Sequence, residues 1–146
     1  MPKVCFFCDV QNRKGDDLKI LDNNVFAARF SEFPVSKGHC EIFIKKHHDS
    51  FFDLSSEELS SFFEAIKQVK KIVDDKYHPD GYNIGINEGQ AAGRSIDHLH
   101  VHLIPRYKDD VPNPRGGVRN IIPDKGDYVK EIKNNPDYKN NRKYVE

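Results

Sequence analysis

The chain has 146 residues and balances 23 basic against 23 acidic side chains. That balance argues against a nucleic-acid or membrane-surface binder, no apolar run approaches the roughly 20 residues of a membrane span, and no signal peptide opens the chain. The length suits one domain with a sizeable core, and three cysteines are too few for a disulfide framework, so the expectation is a cytoplasmic protein with reduced thiols.

Taken in order, the chain opens on Cys5-Phe6-Phe7-Cys8. In a reducing compartment a CxxC reads as half of a zinc site or as a redox pair. The polar, turn-like run Gln11–Asp17 behind it fits poorly with a thioredoxin-like motif, which opens a helix. Leu18–Leu21 and Val25–Phe30 read as strands of a hairpin around the turn Asp22-Asn23-Asn24. A loop punctuated by Pro34 and Gly38 leads to a third strand, Cys40–Lys45, which ends at His47-His48.

Ser55 with Glu58 three residues on is a capping box. Behind it Leu59, Phe62, Phe63, Ile66, Val69 and Val73 recur at helical spacing, which predicts an amphipathic helix to about Tyr77, stopping before Pro79. Tyr82–Asn87 reads as a strand, with Ile84 and Ile86 on one face and Asn83 and Asn87 on the other. The loop Glu88–Ser95 is small, flexible and rich in backbone donors of the kind that approach phosphate. After Arg106 no sustained period remains, and the segment reads as a surface-hugging tail.

The organising stretch is His98-Leu99-His100-Val101-His102-Leu103-Ile104. On a strand the three imidazoles line one face and the aliphatic side chains the other. A row of imidazoles is costly without partners, a metal or a ligand. Two chemistries fit. The histidines can share a catalytic metal. Alternatively, one is a nucleophile toward phosphorus, its second ring nitrogen fixed by an acceptor such as a strand carbonyl.

This stretch, with Asn87-Glu88-Gly89, Gly93-Arg94-Ser95, Pro34–His39 and the exit Ile104-Pro105-Arg106, resembles the histidine triad (HIT) family over residues 3–108. The resemblance implies an α+β fold: a five-stranded antiparallel sheet with one long helix and a short helix, pairing into a ten-stranded sheet in a homodimer. It divides the chain into a HIT domain, 1–108, and a C-terminal extension, 109–146, packed on the domain or its partner.

The implied activity is nucleotidyl hydrolysis or transfer at the α-phosphate of dinucleoside polyphosphates or nucleoside phosphoramidates, with a purine nucleotide or dinucleoside polyphosphate as ligand. His100 matches the nucleophile that forms a nucleotidyl-histidine intermediate. His102 matches the α-phosphate contact. Asn87, Gly93, Arg94 and Ser95 match the phosphate-binding positions, and His39 lies near the nucleoside. Ser31 stands where many members carry a carboxylate or amide for the ribose hydroxyls, and Arg94 where many have Gln. The fork of Arg94 suits polyphosphate. Members with a CxxC imply structural zinc on Cys5, Cys8, His47 and His98, so that His98 orients the triad. A metallohydrolase using the row as a catalytic metal site, or a non-catalytic nucleotide-binding regulatory module, are the alternatives.

Overall fold

The structure, a computed structural model, describes residues 4–144. They fall into two compact units that divide between Tyr107 and Lys108. In the first, a short helix α1 (Phe6–Val10) precedes strands β1 (Lys19–Asp22), β2 (Phe26–Phe30) and β3 (Cys40–Ile44), the long helix α2 (Ser56–Tyr77), and strands β4 (Gly81–Gly85) and β5 (His100–Arg106). The sheet is antiparallel in the order β1-β2-β3-β5-β4. The expected five strands and long helix are all present, each strand shifted by a residue or two at its ends.

α2 starts where the capping box placed it. The Glu58 N–H donates to Ser55 Oγ at 3.1 Å and the Ser55 N–H to Glu58 Oε2 at 2.9 Å, satisfying two otherwise orphaned donors. It ends at His78, which takes the left-handed conformation ahead of Pro79. Its buried stripe, Phe62, Ala65, Val69 and Val73, packs on Phe26, Ala28, Ile42, Ile44, Leu99, Val101 and Leu103 from one face of the sheet. The predicted apolar stripe divides here. Phe62 is buried, whereas Leu59 and Phe63 lie exposed on the helix flank with Ile84 of β4. They line an apolar groove of about 350 Å³ beside that edge strand.

The other sheet face carries the polar and aromatic residues. Cross-strand partners project to the same side, so the register builds two rows. One is Ala27–Phe43–His100 and the next is Arg29–Glu41–His102. α1 covers the first row, with Phe7 packed on Phe43, His98 and His100. Contrary to the sequence reading of the turn-like run behind it, the CxxC does open a helix: Cys5 is the N-cap of α1, held there by apolar Phe7 and Val10 buried against Ala27 and Phe43.

The second unit comprises a 3₁₀ turn (Gly117–Ile121), α3 (Tyr128–Asn134) and a 3₁₀ segment (Pro136–Tyr144), where the sequence suggested only an aperiodic tail. The Asp127 carboxylate caps α3 through the Val129 N–H. The Arg119 guanidinium donates to the carbonyls of Lys125 and Gly126 and lies over the Tyr128 ring. Gly116 is left-handed at φ +87°, and a Cβ there would collide with the Gly126 carbonyl oxygen. Only glycine fits both constraints.

Candidate active site and metal centre

The triad divides by position. His100 and His102 lie on β5, but His98 falls before it, in a bend. The row expected on a single strand is therefore two histidines on the ladder and one outside it. The cause is local: the fully buried His98 ring uses its Nε2–H to donate to the Ile44 carbonyl at the end of β3, and the Leu99 N–H donates to the His48 carbonyl at 2.6 Å.

With Nε2 so committed, Nδ1 of His98 faces Cys5 Sγ at 3.3 Å and Cys8 Sγ at 3.6 Å, and His47 Nδ1 lies 3.4 Å from Cys8 Sγ. The four ligand atoms lie within 4.8 Å of one another. A tetrahedral zinc with Zn–S of about 2.3 Å and Zn–N of about 2.0 Å separates S and N ligands by roughly 3.5 Å, so the donor set fits that ion. The outer partners fit as well. The Ile44 carbonyl holds the far nitrogen of His98, and the Asp49 carboxylate lies 3.3 Å from His47 Nε2, the usual support of a ligating imidazole. Burial, then the neighbouring Cys5, pushes the Cys8 thiol up to about 11; a metal would displace that proton. Neither His100 nor His102 belongs to this group.

His100 is buried, and its Nδ1–H donates to the His98 carbonyl at 2.8 Å. A carbonyl only accepts, so the proton is on Nδ1 and Nε2 carries the lone pair. Burial lowers the pKa of His100 below the ordinary histidine value, favouring the neutral ring; the His98 carbonyl and Glu41 oppose this, and His102 and Arg94 add to it.

A second tautomer follows from a longer chain. The Val35 N–H donates to His39 Nδ1 at 3.3 Å, so the His39 proton is on Nε2. Nε2 lies 3.0 Å from His102 Nδ1 and donates to it. His102 therefore holds its own proton on Nε2 as a donor. Burial, then the His102 charge, lowers the pKa of His39 to about 4, keeping this chain neutral. Burial also lowers that of His102.

The loop before the triad turns at Gly89 and Gly93, both left-handed. Gly93 and Ser95 are exposed, and Asn87 sits half-buried just past β4. Ser95 lines a cavity of about 310 Å³ with Cys5, Phe6, His47 and Asp49. Arg94 is turned away from the open loop. Its Nη1 donates to the Asp49 carbonyl at 2.8 Å, and its Nε lies 3.4 Å from Asp97 Oδ1. Its charge still reaches His100.

Ser31 is buried, and its oxygen accepts from the Phe33 N–H at 3.2 Å while its proton goes to Glu41 Oε1 at 3.1 Å. Sequence reasoning did not single out Glu41 or Phe7, which the fold sets beside His102 and His100. The alternation along Cys40–Ile44 is the signal that puts Glu41 and Phe43 opposite the aliphatic face. Arg29, buried beside Glu41, is held by Asp16 and Glu32.

A family model described as the HIT domain matches residues 12–109. The chain is 33% identical over 131 residues to an uncharacterized HIT-like protein of Methanocaldococcus jannaschii, covering 89% of this chain and 99% of that one. It is 28% identical to an adenosine 5′-monophosphoramidase of Schizosaccharomyces pombe, covering 73% and 77%. Among solved structures it is similar to a zinc-bound histidine triad family protein of Mycobacterium smegmatis, with a TM-score of 0.65 and 26% identity over 73% of this chain and 77% of the other. The family-model match over most of the chain and the relative 33% identical along nearly all of its own length show that the chain belongs to the HIT family.

Proposed function

We propose that the chain is a nucleotidyl hydrolase or transferase acting at the α-phosphate of nucleoside phosphoramidates or dinucleoside polyphosphates. The observation that carries this is the Nδ1–H of His100 on the His98 carbonyl, which leaves Nε2 as an oriented nucleophile. Nε2 attacks the α-phosphorus and the bond to the leaving group breaks. That group departs as a phosphate anion or, with a proton from solvent, as an amine. The nucleotidylated ring is cationic, and the His98 carbonyl it already faces stabilises that charge. Water then attacks phosphorus, the P–N bond breaks, its electrons return to Nε2, and water's proton leaves to solvent.

His102 donates its Nε2–H to a phosphoryl or bridging oxygen, and Asn87, Ser95 and the Gly93–Ser95 backbone supply further donors. Arg94 acts on this region by its charge, from its seat on Asp49 and Asp97. Zinc on Cys5, Cys8, His47 and His98 would be structural: four protein ligands close a tetrahedral site, and the ion would tie α1 and the Asp49 segment to the triad.

The chain forms a homodimer in this reading, through the β4 edge and the apolar groove of Leu59, Phe63, Ile66 and Ile84. No helix among the described residues is long and apolar enough to cross a membrane, and the unpaired thiols of Cys5, Cys8 and Cys40 suit the cytoplasm. The test is rapid quench of the zinc-loaded protein with adenosine 5′-phosphoramidate or diadenosine tetraphosphate, followed by peptide mass spectrometry. A nucleotidyl mass on the peptide holding His100, absent in His100→Ala, is the expected result. Normal turnover by His100→Ala overturns the assignment.

A further inference from the structure

We propose that Glu41, held in place by Ser31, is the residue that binds the ribose vicinal diol of the substrate. The proposal rests on the nucleotide reading above and adds the determinant of its sugar specificity.

Glu41 is the direct cross-strand partner of His102, so its side chain rises from the same sheet face, one strand over from the phosphate contact. Adjacent strands are about 4.8 Å apart, a step comparable to that from an α-phosphate to the far edge of its own ribose. A nucleotide with phosphorus at His100 and His102 can therefore lay its sugar over β3.

A half-buried carboxylate facing His102 is unusual on this surface, because burial costs a charge unless it finds donors. Oε1 takes the Ser31 hydroxyl, while Oε2 has no hydrogen-bond partner among the described residues. A carboxylate with one oxygen anchored and one open accepts from the hydroxyls of a cis-diol, as acidic residues do in dinucleotide sites.

Ser31 itself is a poor donor to the sugar. Its one proton is spent on Glu41, and its oxygen already accepts from the Phe33 N–H. Ser31 is thus a positioning residue. Its backbone is fixed as well, because the Ser31 N–H donates to the His39 carbonyl at 2.9 Å. The carboxylate that many family members carry at the Ser31 position is here supplied from the neighbouring strand.

The test compares kcat/KM of the zinc-loaded full chain for adenosine 5′-phosphoramidate and its 2′,3′-dideoxy analogue, alongside calorimetric affinities for AMP and dideoxy-AMP. Hydrogen bonds to a charged group give a preference for ribose of about 10- to 100-fold in wild type. The ratio falls at least fivefold in Glu41→Leu and in the near-isosteric Glu41→Gln, with melting temperature and zinc content recorded for both. A smaller fall in Ser31→Ala, through misplacement of the carboxylate, is the expected companion.

A wild-type enzyme that turns over both substrates equally overturns the proposal while leaving the hydrolase reading intact, as does a ribose preference kept in any folded Glu41 variant. Loss of turnover in wild type with the AMP-over-dideoxy-AMP ratio intact sinks the hydrolase reading and supports the ribose site. Binding of neither nucleotide overturns both.

Discussion

Nε2 of His39 lies 3.0 Å from Nδ1 of His102, and the Val35 N–H on the other nitrogen of His39 decides which of the two carries the shared proton. One backbone amide thus sets the tautomers of two rings and points the only N–H of His102 away from His39.

That relationship predicts a kinetic split. His39→Leu leaves His102 Nδ1 without its donor, so the ring is free to take the other tautomer. Turnover should fall by roughly 10²-fold, the usual scale for misplacing a catalytic proton, with KM for adenosine 5′-phosphoramidate changed little. Steady-state kinetics checks this, and an unchanged kcat would remove His39 from the chain.

His39 also carries a stability prediction. Its pKa is lowered in the fold to about 4 from the ordinary 6.5, so below pH 6.5 the unfolded chain binds a proton that the folded ring refuses. The contribution is fully present above pH 6.5, erodes as the pH falls, and levels off below about 4. At pH 5 the loss from this group is about 2 kcal/mol. Urea titrations at pH 7.5 and pH 5 should show wild type losing about that much more than His39→Leu; equal losses would refute it.

Metal content separates structural from catalytic metal. His98→Ala and Cys8→Ser should fail to retain zinc and should melt well below wild type, because the ligands join distant parts of the chain. His100→Ala should keep one zinc per chain and lose turnover. Elemental analysis of His100→Ala decides the matter, since a metal lost with His100 would revive the metallohydrolase reading.

Association is testable at the β4 edge. Ile84 and Phe63 are 49% and 59% exposed, and a lysine at position 84 places a charge in the apolar groove. In the proposed homodimer, wild type should sediment as a dimer and Ile84→Lys as a monomer. A variant that stays dimeric at micromolar concentration locates the interface elsewhere.

The five strands, the α2 start and the strand that carries His100 and His102 are readable in the sequence because each depends on short-range signals: alternation, a capping box, a breaker at Pro79. What it hid depends on register and on side-chain competition. His98 continues the alternating pattern, yet its ring captures the Ile44 carbonyl and leaves the ladder. Arg94 sits in a loop that looks open, but the Asp49 carbonyl and Asp97 are nearer partners. Glu41 reads as one polar residue in an apolar strand, since only the pairing with His102 gives it a place. The cysteine pair needed His47 and His98, dozens of residues away, before a donor set existed.

That separation has a consequence for how the protein is made. In the proposed zinc site the last ligand, His98, follows the first, Cys5, by 93 positions. At about 5–20 residues per second of synthesis, the two thiols wait on the order of 5–19 s for their final partner, longer while that stretch clears the ribosome. Over that interval the pair would lack the last imidazole that closes the site. If the proposed zinc is bound, the order of the ligands along the chain would make the yield of competent protein sensitive to the redox state of its surroundings while it is still nascent.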